Sequence, residues 1–228
     1  MEKFFESILD IIFPKFCVYC KKEGDFLCLS CFKKIIKIQI PQCPFCSKIS
    51  PFGKLCPSCR RKNYLTGVIV AGYFEGPLQK AIYAFKYEKI SPLSFILSFL
   101  LKEKLENFPQ KDFVLTFVPL HFKRENERGF NQSQLLAENL SLIFKKPCLD
   151  LLKRQKQTRP QVELNRKKRQ ENIKNAFVFK GNPTDIKGKI VLVVDDVFTT
   201  GATLNECAKI LRENGAREVW GAVLAHQK

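Results

Sequence analysis

The stretch Ile190-Val191-Leu192-Val193-Val194-Asp195-Asp196-Val197-Phe198-Thr199-Thr200-Gly201-Ala202-Thr203-Leu204 decides the fold. Its first five residues are apolar and mostly β-branched, which predicts a buried strand. Two carboxylates, Asp195 and Asp196, follow at the strand's carboxyl end, and the small-residue turn Thr199-Thr200-Gly201-Ala202-Thr203 opens a helix. In an open α/β sheet, ligands bind beyond the carboxyl ends of the strands. A helix N-terminus presents free backbone N–H groups that attract phosphate. Adjacent carboxylates repel each other unless a metal or a polyol relieves them, and a vicinal diol can donate hydrogen bonds to both. The run therefore describes a pocket for a phosphorylated sugar with neighbouring hydroxyls.

The rest of the chain supplies a matching frame. It has 228 residues, enough for one ordinary core and a small extra module. From Thr66 onward the texture alternates. Strands are expected at 68–74, 113–118, 176–179, 190–194 and 218–225, and helices at 78–87, 92–105, 131–144 and 202–214. This order predicts an α/β domain over 66–228, a mostly parallel sheet with helices on both faces. The apolar run 92–101 is too short to span a bilayer and reads as a core helix. Residues 2–13 are apolar but interleaved with acids and lack a cleavage site, so they read as a short amphipathic helix packed on the body. With no secretory or membrane signal, the expected compartment is the cytoplasm and no membrane insertion is expected.

Residues 1–65 carry a different chemistry. Eight of the ten cysteines form four identical Cys-x-x-Cys spacings: Cys17/Cys20, Cys28/Cys31, Cys43/Cys46 and Cys56/Cys59. Each spacing makes a tight knuckle that presents two thiolates to one metal, and two knuckles complete a tetrahedral sulfur site for zinc. Four knuckles predict two structural zinc ions in a double zinc ribbon. Sequential pairing is the simplest, and spacing also allows a crossed one. The same ligand set would hold an iron–sulfur cluster, whereas disulfides are unexpected in a reducing compartment. The segment is poor in apolar residues, so the metal would supply its stability. Cys148 and Cys207 stand apart, and Cys207 is expected in the core.

The formal net charge is +17, which favours polyanionic partners or phosphate-bearing substrates. Two segments concentrate the cations. After the strand end Val118-Pro119-Leu120-His121 come Lys123, Arg124 and Arg128, placed for pyrophosphate or nucleic acid; His121 reads as structural. The segment 153–174, with Arg154, Lys156, Arg159, Arg166, Lys167, Lys168 and Arg169, has little apolar periodicity and reads as a long mobile loop. It is a solvated charged face, a lid over a phosphorylated ligand, or a track for a nucleic-acid backbone. Aromatics are sparse there, so base stacking would come from elsewhere, for instance Phe130.

The 190–204 run closely resembles the ribose-5-phosphate signature of the type I phosphoribosyltransferases. That resemblance implies that Asp195 and Asp196 act as the catalytic and binding acids on the ribose 2′- and 3′-hydroxyls. It implies that Thr199, Thr200, Gly201, Ala202 and Thr203 hold the 5′-phosphate of phosphoribosyl pyrophosphate (PRPP), bound with magnesium. The chain as a whole resembles the ComF (ComFC/GntX-like) family. The resemblance is carried by the four knuckles, Phe85-Lys86-Tyr87, Val118-Pro119-Leu120-His121 and Arg128-Gly129-Phe130-Asn131-Gln132. It extends through Arg154, Thr158, Gln161, Leu164, Arg169, Asn172, Ala176 and Phe177 to the acid pair and its loop. It implies a zinc ribbon joined to a phosphoribosyltransferase-like domain and a role in natural transformation, on incoming single-stranded DNA. A helicase-like translocase and a membrane channel are the neighbours implied. Two functions are thus expected: a DNA-uptake protein that binds PRPP, or an active phosphoribosyltransferase in which a nitrogen nucleophile displaces pyrophosphate. The second needs a hood over the acceptor, for which the zinc module is the one candidate segment.

Overall fold

The computed structural model describes residues 14–110, 112–156 and 173–227. The helix expected at 2–13 and most of the basic loop, including Arg159 and Arg169, lie outside the described residues.

The cysteine segment contributes two short helices, α1 (Leu29–Lys33) and α2 (Pro57–Arg60), each starting directly after a knuckle cysteine. Strand β1 (Gly67–Tyr73) leads into α3 (Gly76–Tyr87) and α4 (Leu93–Leu105). Strand β2 (Val114–Phe117) is followed by α5 (Phe122–Arg128) and α6 (Gln132–Phe144). Two short strands, β3 (Leu152–Arg154) and β4 (Phe177–Phe179), form an antiparallel pair. Strand β5 (Ile190–Phe198), α7 (Ala202–Glu213) and β6 (Glu218–His226) complete the chain. The main sheet has the order β1-β6-β5-β2, and every pairing in it is parallel.

Alternation along β5 sorts the core into two layers, as a pleated strand buried on both faces requires. Ile190, Leu192 and Val194 pack with α3, α4 and α6 on one face. Val191 and Val193 pack with Leu204, Cys207, Ala208 and Leu211 of α7 on the other. Cys207 is a fully buried core residue, as expected.

The cysteine segment is attached to the outer edge of β1. Ile38 N–H donates to Ala71 C=O at 3.2 Å, Tyr73 N–H to Ile36 C=O at 3.0 Å, and Leu55 N–H to Thr66 C=O at 2.9 Å. An open strand edge is thereby covered by the chain's own backbone.

Two elements were not expected. The basic run after His121 is a helix, α5, and the loop expected from Lys153 begins later, because Lys153 and Arg154 are strand residues paired with β4. Among the described residues, no helix is long and apolar enough to cross a membrane.

Candidate functional site

Strand β5 continues to Phe198, so Asp195 and Asp196 are themselves strand residues. Asp195 Oδ1 accepts from the hydroxyl of Ser133, in the first turn of α6, at 3.0 Å, and from Asp196 N–H at 2.9 Å. Asp196 Oδ1 lies 2.7 Å from Lys86 Nζ, in the last turn of α3. Burial first, and then the neighbouring Asp196 carboxylate, push the Asp195 carboxyl up to about 7, against the opposing pull of Lys86. Perturbed acids of this kind cluster at functional sites, which makes the end of β5 the candidate.

The loop after the acids is shaped by one glycine. Gly201 caps α7 with φ 74°, a left-handed conformation that side chains resist. A Cβ there would also come within 2.6 Å of the Phe198 ring and 2.7 Å of the Phe45 ring. Thr200 Oγ1 accepts from Ala202 N–H at 3.4 Å. Thr199, Gly201, Ala202 and Thr203 line the same cleft as the acids, a space of about 840 Å³. A small-residue turn at the head of a 12-residue helix fits a phosphate.

The cationic residues divide. Arg124, Arg128 and Arg154 line the cleft, while Lys123 is exposed outside it. Arg154 is buried, its guanidinium 5.4 Å from the Phe177 ring centroid, and is drawn down to about 10 by burial and by Arg124. His121 is held below its usual range by burial and then by Arg154, Lys123 and Arg124. These cations repel one another, and an incoming polyanion relieves that repulsion. His121 itself is structural, its Nδ1 accepting from Lys123 N–H at 3.4 Å to cap α5.

The run from Arg128 to Gln132 is the turn between α5 and α6. Gly129 ends α5 with φ 84°. Asn131 caps α6, accepting from Ser133 N–H at 3.0 Å and donating to Val118 C=O at 3.1 Å. Phe130 is half-buried and stacked on the buried Phe85 ring, centroids 5.5 Å apart, so one side of it serves the core. Among the described residues, none of the zinc module lines the cleft. Among the described residues the wall facing the acids is α3, with Lys80, Ile82, Tyr83, Lys86 and Tyr87. Sequence reasoning gave no role to Lys86, Ser133, Tyr83 or Tyr87.

The eight knuckle cysteines gather as two groups: Cys17, Cys20, Cys28 and Cys31, then Cys43, Cys46, Cys56 and Cys59. Pairing is therefore sequential. Within each group the sulfurs lie within 4.8 Å of one another, and a tetrahedral zinc–sulfur site needs them about 3.8 Å apart. The two groups repeat each other. Cys17 N–H donates to Lys22 C=O and Cys43 N–H to Lys48 C=O, both at 2.8 Å. Lys21 and Ser47 both take positive φ, and Ser30 and Ser58 contact Cys28 and Cys56 at 3.1 and 3.2 Å. Four sulfurs with no open position fit a structural ion.

Residues 131–228 match the phosphoribosyl transferase domain family, and residues 8–64 match the double zinc ribbon domain family. Fold and site together define a class, a phosphoribosyltransferase-type α/β domain carrying a double zinc ribbon. Competence protein F of Haemophilus influenzae is 32% identical over 226 residues, covering 92% of this chain and 96% of that protein. Competence protein ComFC of Bacillus subtilis is 29% identical, covering 87% and 82%. The DNA utilization protein YhgH of Escherichia coli is 30% identical, covering 91% and 96%. The chain belongs to the ComF family of these competence proteins.

Proposed function

We propose that this protein binds PRPP with magnesium in the β5 cleft and handles incoming single-stranded DNA in the cytoplasm during DNA uptake. One observation carries the reading: the acid pair, the small-residue turn at Gly201 and three arginines open into one space. In this reading Asp195 and Asp196 orient the ribose hydroxyls, and Thr199–Thr203 hold the 5′-phosphate. Arg124, Arg128 and Arg154 face the pyrophosphate. Magnesium, when bound with PRPP, neutralises the pyrophosphate charge. Each cysteine group holds one zinc ion, which ties the ribbon together. Lys123 and the basic segment with Arg159 and Arg169 supply the track for the DNA backbone. The names of the relatives, competence and DNA utilization proteins, support a role in DNA uptake, and this reading expects a helicase-like translocase and a membrane channel as neighbours.

The cleft, about 840 Å³, lies toward the upper end of ordinary ligand-pocket sizes, and the room it leaves for an acceptor beside PRPP favours a second reading. There the protein is a phosphoribosyltransferase, and a nitrogen nucleophile displaces pyrophosphate. Single-stranded DNA affinity, measured with and without magnesium and PRPP at two salt concentrations, separates the readings. A steep fall of log affinity with log salt, together with a shift on adding PRPP, supports DNA handling. PRPP binding without DNA binding, accompanied by pyrophosphate release from a nitrogen acceptor, supports the enzyme instead.

A further inference from the structure

The wall of the cleft that faces the acid pair presents two aromatic rings for which the phosphate and ribose contacts have no use. Helix α3 turns its apolar stripe inward, with Leu78, Ala81, Ile82 and Phe85 fully buried. Tyr83 and Tyr87, one turn apart, are 56% and 51% exposed. Their ring centroids lie 4.6 Å apart at an interplanar angle of 48°, and both rings line the cleft that contains Asp195 and Asp196.

Cations lie beside the aromatic pair and outnumber the acids of the lining, Glu127, Asp195 and Asp196. The Arg128 guanidinium lies 5.2 Å from the Tyr87 centroid, and Arg128 Nη1 donates to Gln132 Oε1 at 2.7 Å, which fixes it there. Lys80 and Lys89 lie on the same wall. Exposed rings backed by cations suit a ligand that is planar and aromatic in one part and anionic in the next. An apolar peptide would have no use for the cations, and a bilayer would need a far larger apolar face. A nucleic acid strand has both parts in every nucleotide.

We propose that Tyr83 and Tyr87 form a stacking platform for a nucleobase of single-stranded nucleic acid, beside the sugar-phosphate pocket. The proposal rests on the DNA-handling reading above and gives it a contact. Lys86 lies between the two tyrosines in the chain and binds Asp196, so platform and acid pair are fixed to one helix.

The test uses the full chain and two labelled strands of equal length and charge, oligo-dT and an abasic strand, with affinity read by fluorescence anisotropy. Wild-type protein should prefer oligo-dT. Y83A/Y87A should lose about tenfold or more in oligo-dT affinity and bind both strands alike. Y83F/Y87F, which keeps the rings, should retain the preference. Both side chains are exposed, so an unchanged melting temperature should certify the fold of each variant. Equal wild-type binding of the two strands, or a preference that survives Y83A/Y87A, overturns the platform while leaving DNA handling intact. Wild-type binding to neither strand overturns both, and that outcome is distinct from the first.

Discussion

The cysteine groups and the acid pair both crowd side chains that repel one another when ionised, but the chain completes one arrangement and leaves the other half built. In each ribbon four sulfurs converge, and Cys17, Cys31 and Cys43 are almost entirely buried. At the end of β5, two carboxylates receive one hydroxyl and one ammonium group from the sides and face a cleft in front. A full set of ligands with no open position serves the fold. A partial set beside an open space has room for an exchangeable ligand. The two regions meet at Phe45, from the second ribbon, whose ring packs edge-on against Phe198 at 5.4 Å and lies against Gly201 of the turn before α7.

The sharpest way to break this comparison is to open a closed site. Cys43→Ser should lower metal content from two zinc ions per chain to about one and make the N-terminal segment protease-sensitive. Structural zinc contributes about 10–16 kcal/mol in small zinc modules, more than the rest of such a segment supplies. Retention of two ions and of protease resistance would contradict the assignment.

The acid pair should respond to pH instead. Asp195 keeps its proton up to about 7 in the folded chain, whereas an unfolded chain releases it near 4. Between about 4 and 7 the native state binds more protons, so this residue's contribution to stability falls as pH rises and levels off above 7. PRPP affinity should run the other way, climbing by up to about tenfold per pH unit below 7 as the carboxylate forms. Asp195→Asn should flatten both profiles and raise the melting temperature more at pH 8 than at pH 5. Lys86→Met, which removes the cation that lowers Asp195, should move the midpoint of the PRPP profile above that of the wild type. The smallest effect joins the two regions. Phe45→Ala should weaken PRPP binding about two- to tenfold, the worth of one aromatic pair, with both zinc ions retained.

Most of the scaffold was legible because its signals are local. The run Ile190–Val194, the inward residues of α3 and the four knuckles each announce themselves within a few positions. Helix α5 was not legible. Its basic sequence has no apolar stripe, and its ends are set by the His121 cap and by Gly129. Strand β3 was not legible either, since three residues bearing two charges form a strand only once β4 pairs with them. The acid pair could be read, but its partners could not. Ser133 and Lys86 lie 62 and 110 positions away in sequence, and only the fold brings them together. Tyr83 and Tyr87 did carry a signal, two aromatics four apart on the polar side of an amphipathic helix.

Calorimetric titration of PRPP with magnesium into the wild type and into Asp195→Asn/Asp196→Asn tests the central claim most directly. The account predicts one site per chain in the wild type. It predicts loss of about a hundredfold or more in the variant, from two charged hydrogen-bond acceptors removed, with zinc content and a single cooperative melting transition preserved. Equal affinity in the two proteins would contradict the assignment of the acid pair, and with it the reading of the cleft.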